Sequence, residues 1–160
     1  MAAFDREAFL AAEQLFDNLL ATWPDHAQAL VGKGMILANQ GRYQEARQWC
    51  ARAIHHDDLC PAAYLLRGLI LDMEEQLERA LVEYHKALWL DRDFVMAHYF
   101  SAKAHGRLGQ TEQQVRALRT VTRILGRQGN TGAIPYSGGL TQPVMLEICR
   151  KELSEHKPPI

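Results

Sequence analysis

The residues best suited to chemistry in this 160-residue chain form one short cluster, His55-His56-Asp57-Asp58-Leu59-Cys60. Imidazole, carboxylate and thiolate are common ligands of transition metals. Consecutive ligands rarely converge on one ion, however, and this cluster lies between two apolar-periodic segments where a turn is expected. His98 and His105 share a helical face but stand two turns apart, too far for one ion. Cys50, Cys60 and Cys149 contain no CxxC pair, and their odd number argues against a disulfide framework. Cys50 sits among apolar positions and reads as an inert packed thiol. No set of nucleophile, base and orienting group stands out, so no catalytic, cofactor-binding or metal residue is expected. One charged pattern remains. Arg116, Arg119, Arg123 and Arg127 recur at spacings of three and four, which makes one basic stripe on a helix. Such a stripe could dock on an acidic surface, although a merely solvated face carries the same pattern.

Composition narrows the classes. The chain is 48% hydrophobic and 23% charged, with a formal net charge of −1. That balance argues against bulk nucleic-acid binding, because phosphate-driven affinity needs an excess of Lys and Arg. No apolar run approaches the roughly 20 residues that cross a bilayer. Met1–Leu10 carries Asp5 and Glu7 and lacks the apolar core of a signal peptide. The expectation is a cytoplasmic protein that neither enters a membrane nor binds nucleic acid.

The elements that position these residues come from an internal repeat. Sliding the sequence by 34 residues aligns Gly34, Gly68 and Ala102 without a gap. Ala12, Ala46 and Ala80 align, with Gln114 the misfit, and so do Phe9, Tyr43, Leu77 and Thr111. Phe16, Cys50, Tyr84 and Leu118 form a further column, as do Leu19, Ala53, Ala87 and Val121. Leu37, Leu71 and His105 align, and Gly41 and Gly109 flank Glu75. The small columns let two antiparallel helices approach, and the large columns fill the space left between them. Gly41 and Gly109 stand where the first helix of a unit must stop and turn.

A 34-residue unit of two helices with these columns resembles the tetratricopeptide repeat (TPR) over residues 5–126. The unit's closing proline is present as Pro24 but replaced by Asp58 and Arg92. The resemblance implies an all-α solenoid, with antiparallel helix pairs in a right-handed superhelix. Helices are expected near 5–22, 27–40, 43–56, 61–74, 77–90, 95–108 and 111–125. The first corresponds to the second helix of a unit, so the array begins in mid-repeat. That start is read as belonging to a piece of a longer protein. Three regions follow: the array over 1–126, a loop over 127–140, and a C-terminal helix and tail over 141–160.

The tail carries a second resemblance. Gly126–Gly139 is rich in turn residues, Thr141 looks like an N-cap, and Pro143 fits a first turn. A helix near 142–154 would place Val144, Met145, Ile148 and Cys149 on one apolar face, with Leu153 nearby. It could cap the last repeat, fold into the concave groove, or pack on another domain, and capping is the expectation. Residues Ala87–Tyr99, Arg116-Ala117-Leu118-Arg119 and Pro135-Tyr136-Ser137-Gly138-Gly139-Leu140-Thr141 resemble the C-terminal TPR extension of chemotaxis receptor glutamate methyltransferases. The resemblance implies a parent protein with an upstream domain that uses S-adenosylmethionine. This chain has no βαβ pattern or glycine-rich turn to hold that cofactor.

In TPR arrays the first helix of each unit lines the concave face, where partners usually lie. Helical spacing assigns that face to Val31, Met35 and Asn39, then Leu65, Leu69, Asp72 and Met73, then Tyr99, Lys103 and Arg107. The groove so read grades from apolar to basic, and suits an amphipathic helix or an extended segment with an acidic end. The Lys and Asn clamp by which some TPR domains hold chaperone C-termini has no counterpart. Its places hold Val31, Met35, Leu66, Met96 and Phe100. The expected function is a protein-interaction module that binds another protein or peptide segment. The resemblance implies the targeting domain of a chemotaxis methyltransferase, whose partner would be the chemoreceptor or the parent's own catalytic domain. The alternative is a free-standing adaptor or assembly scaffold of the secretion or pilus-biogenesis type.

Overall fold

A computed structural model of the chain describes residues 3–129 and 132–156, with side chains from Leu10 onward. The Phe9 side chain, residues 130–131 of the expected loop and the tail beyond residue 156 lie outside the described residues. The elements are α1 (Ala3–Thr22), α2 (Ala27–Asn39), α3 (Tyr43–His56), α4 (Pro61–Met73), α5 (Leu77–Leu90), α6 (Val95–Arg107), α7 (Thr111–Gln128) and α8 (Gln142–Glu155). Helices α2/α3, α4/α5 and α6/α7 pair as three units, and each first helix also packs on the next. The architecture is the TPR α-solenoid, with α1 as a lone second helix and α8 as a cap.

Several helix starts and stops have a local cause. The ring of His26 caps α2, with Nδ1 accepting from the Ala29 amide at 3.2 Å. Pro61 opens α4, where its missing N–H costs nothing. The three turns inside units share one geometry. Arg42, Gln76 and Gln110 donate their amides to Leu37, Leu71 and His105, each at 2.9 Å. The residue before each donor takes a left-handed conformation, with φ of 76°, 62° and 71° at Gly41, Glu75 and Gly109. This is the Schellman stop, which closes a helix by turning the chain left-handed. Only Glu75 lacks glycine's freedom there, which costs about 1–2 kcal/mol.

Packing follows the repeat columns. A Cβ added at Gly68 would lie 2.4 Å from the Tyr84 ring, so the bare backbone is what admits the tyrosine. Tyr84 cannot yield. It is fully buried, stacks on Phe100 with ring centroids 6.2 Å apart, and donates its hydroxyl to Asp72 at 3.2 Å. Gly32 plays the same part for Phe16 of α1, and Gly34 for Leu66 of the next unit.

Two boundaries differ from expectation. Gly126 is not the start of a loop, because α7 continues through it to Gln128. One interior glycine costs about 1 kcal/mol, and burial of Ile124 and Leu125 just before it offsets that. The helix stops instead at Gly129, where φ is 67°. Thr141 occupies the N-cap position of α8, but its side chain makes no capping bond. Met145 and Cys149 are fully buried, whereas Val144 points to solvent. The buried stripe of α8 is thus Gln142, Met145 and Cys149, which keeps Met145 and Cys149 of the expected face, leaves Ile148 half-buried and gives up Val144. Helix α8 packs against α7, and the Gln142 side-chain amide donates to the Leu125 carbonyl.

Candidate functional site

An open groove of about 900 Å³ lies against one face of α2. One face of α2 contributes Gln28, Met35 and Asn39, and the starts of α4 and α6 contribute Pro61, Phe94 and Met96. Phe16 of α1, Leu125 of α7 and the carboxylates Asp91 and Asp93 before α6 add to the lining, and the loop before α8 closes it through Ala133, Ile134, Pro135 and Tyr136. That loop folds on itself. The Ile134 amide donates to the Leu140 carbonyl at 2.8 Å, and the Ser137 hydroxyl donates to the Ile134 carbonyl at 2.7 Å. Closed in this way, it presents Ile134 to the core and sets the Tyr136 ring edge-on against Phe94, with centroids 5.8 Å apart. Burial raises the Tyr136 phenol above its ordinary range. Ser137 and the left-handed Gly138 and Gly139 of the Pro135–Thr141 segment therefore shape this wall.

The expected groove residues separate by their place along each first helix. Val31 and Leu65 are fully buried and belong to the core, so they cannot meet a partner. Met35 and Leu69, one turn on, are half-buried, while Asn39 and Met73 are exposed. Positions four apart precess by about 40° around a helix, so a straight line of i, i+4 and i+8 drifts from core to solvent. Of the residues expected, Met35 and Asn39 line the groove. Sequence reasoning missed Phe94 and Ile134–Tyr136. The signal available was an apolar Ile-Pro-Tyr run inside an otherwise Gly- and Ser-rich loop.

The basic end is not free either. Lys103 pairs with Glu152 of α8 at 3.3 Å. Tyr99 is half-buried beside α8, and its phenol is pushed up to about 12, first by burial and then by the Glu152 charge. Arg107 bridges two carboxylates, those of Asp72 and Glu75. Asp72 is itself buried and accepts from Tyr84, so it belongs to an internal network rather than to a docking face. The expected gradient from apolar to basic is thus neutralised by the chain's own acids, and α8 covers the last unit.

The other candidates have local structural roles. His56 pairs with Asp25 at 2.9 Å, Asp57 accepts from the Leu59 amide at 3.0 Å, and Cys60 is buried. His98 bonds the Arg92 carbonyl at 2.9 Å, and His105 meets the Gln110 side chain at 2.6 Å. Among the described residues no group of His, Cys, Asp and Glu is arranged to hold a metal ion. Cys50 donates to the Ala63 carbonyl at 3.2 Å, and burial pushes its thiol up to about 12 and that of Cys149 to about 11. Arg116, Arg119, Arg123 and Arg127 all lie exposed on α7. No described helix is long and apolar enough to cross a membrane.

Residues 1–59 match the family model of the tetratricopeptide repeat. The Protein CTR9 homolog of Arabidopsis thaliana is 38% identical over 87 residues, which is 54% of this chain and 8% of that protein. The mitochondrial import receptor subunit TOM70 of Rattus norvegicus is 28% identical over 102 residues, or 62% of this chain and 17% of that one. The chain thus spans under a fifth of the length of either relative. Among solved structures, PcrH in complex with the chaperone binding region of PopD superposes with a TM-score of 0.67 at 15% identity, over 82% of this chain and 91% of that one. These likenesses agree with the solenoid described above.

The charge network makes a stability prediction. Removing Arg107 in Arg107→Ala leaves the Asp72 carboxylate buried without its cation, and should cost about 1–3 kcal/mol. Lys103→Ala breaks a more exposed pair and should cost under about 1 kcal/mol. Urea denaturation of both variants measures the difference, and Asp72→Asn should recover part of the Arg107→Ala loss.

The thiols set a pH dependence. An unfolded thiol ionises from about pH 8.5, while Cys50 and Cys149 keep their protons to about 12 and 11. Above that lower pH the unfolded chain holds fewer protons than the folded one, so stability falls as pH rises. The slope should approach 1.4 kcal/mol per pH unit for each thiol, roughly, between about pH 9 and 11. Replacing Cys149 by Ala should flatten the urea-midpoint profile across that window.

Proposed function

We propose that the groove takes up a segment of a partner protein, and that the array is the targeting domain of a chemotaxis receptor methyltransferase. The observation that carries the groove is its construction. A Met-lined helix face, the buried Phe94 and the folded Ile134–Tyr136 loop enclose about 900 Å³ with few charges. Apolar, partly pre-formed clefts of this kind favour an amphipathic helix or an extended apolar segment. The ion pairs at Lys103 and Arg107 remove the reason to expect an acidic end on the ligand.

The methyltransferase reading rests on the Pro135–Thr141 segment and the Ala87–Tyr99 stretch, which resemble the end of such enzymes' TPR extensions. On that reading the methyltransferase chemistry belongs to an upstream domain, and this chain brings the enzyme to its receptor. A second reading is an adaptor or chaperone-like scaffold. It is favoured by one observation, that the fold matches PcrH, whose solved structure holds the chaperone binding region of PopD.

Calorimetric titration with the purified cytoplasmic fragment of a chemotaxis receptor separates these readings. The expected result is micromolar binding that falls at least about tenfold, or about 1.4 kcal/mol, in Met35→Glu. No binding by the unaltered chain overturns the methyltransferase reading, and binding untouched by Met35→Glu overturns the groove.

A further inference from the structure

The array treats the cations of its first helices and those of its last second helix, α7, differently. On the first helices, Lys33 pairs with Asp17 at 2.7 Å and Glu13 at 3.4 Å, and Arg67 pairs with Glu83 at 2.5 Å. Lys103 and Arg107 are paired as described. Every cation of the inner layer therefore has its own carboxylate. The last second helix is the reverse. Helix α7 carries four arginines and one acid, Glu112, and none of the four makes an ion pair among the described residues.

Like charges three and four residues apart repel, so the stripe works against the helix that bears it. The helix dipole favours the last turn alone, which accounts for Arg127, and Glu112 lies one turn before Arg116, which leaves Arg119 and Arg123 without local benefit. Arg116, Arg119 and Arg123 instead border a shallow depression floored by Val115 and Thr120. One repeat earlier, the positions equivalent to Arg116 and Arg123 hold Val82 and Trp89, which are 53% and 80% exposed. A tryptophan left so bare on a folded surface forgoes a large hydrophobic gain.

We propose that the exposed face of α7 docks an acidic amphipathic helix of a partner protein, and that this helix also reaches the equivalent exposed face of α5. Its carboxylates lie along the arginine stripe and its apolar side meets Trp89 and Val82. The stripe from Arg116 to Arg127 runs about 16 Å, the length of three helical turns. Arginine forks match carboxylates in pairs, and desolvation of Trp89 adds an apolar anchor. The interleaved apolar residues and the net charge of −1 fit a protein helix better than a phosphate backbone. This surface lies outside the groove and stands independently of what that groove binds.

The test uses a fluorescein-labelled synthetic helix with Glu on one face and Leu on the other, and its counterpart with Gln for every Glu. Fluorescence anisotropy with the full chain should show binding of the Glu helix and at least tenfold weaker binding of the Gln helix. Arg116→Glu/Arg119→Glu/Arg123→Glu should abolish binding, and Trp89→Ala should weaken it several-fold. Should the triple variant melt below the assay temperature, Arg116→Gln/Arg119→Gln decides in its place, with a loss of at least fivefold expected. Equal binding of the Gln helix, or unchanged binding by the arginine variants, overturns the proposal. So does tighter binding of a 20-base-pair DNA duplex than of the Glu helix, which would make the stripe a nucleic-acid contact.

Discussion

The array depends on the fit between the second helix of one unit and the first helix of the next. At each junction two columns face each other, residues 16, 50 and 84 on one side and 32, 66 and 100 on the other. Phe16 meets Gly32 and Tyr84 stacks on Phe100, and the 34-residue register sets Cys50 opposite Leu66. Where one is large the other is small, and where both are large Gly68 gives way to the Tyr84 ring. Interiors pack at crystal-like density, so these volumes must be matched junction by junction. The repeat thus conserves the space between helices, while the residues that fill it change.

That fit fixes where everything else can stand. Because the first helices are held side by side, Lys33, Arg67 and Arg107 each reach acids on neighbouring helices, and the inner layer becomes electrically self-sufficient. The same spacing brings the starts of α4 and α6 against the loop before α8. Helix α8 then covers the last unit through Met145, Cys149 and the Lys103–Glu152 pair, which satisfies the solenoid's need for a closed end. At the other end α1 keeps Leu10 and Leu15 more than half exposed. Positions equivalent to Leu15 hold Trp49, Glu83 and Ala117, which are buried or half-buried.

Much of this was legible in the sequence, because period and column identity report interhelical distance directly. Helix order and turn positions follow from glycine, proline and apolar spacing, whereas that spacing alone left three places open for the last helix. The Glu75 turn was legible for the same reason, since its column is glycine in the flanking units. The groove was less so. Val31 and Leu65 look like groove residues by spacing, yet a 40° drift per turn buries them. Lys103 and Arg107 look free because their partners, Glu152 and Asp72, lie 49 and 35 residues away. Gly126 reads as a break, but tertiary burial of its neighbours overrides one residue's weak propensity. Ions paired across units and loops folded back on helices depend on three-dimensional placement, which no single periodicity carries.

The claim that volume is shared across each junction is tested most directly by a double-mutant cycle at Phe16 and Gly32. Phe16→Cys and Gly32→Leu together install the residues that the register sets opposite each other at the next junction, Cys50 and Leu66. Each single change should cost about 1–3 kcal/mol in urea unfolding, one by leaving a cavity and the other by overpacking. The account predicts that the double variant recovers much of that loss, with a coupling of about 1–3 kcal/mol. Losses that simply add would contradict it.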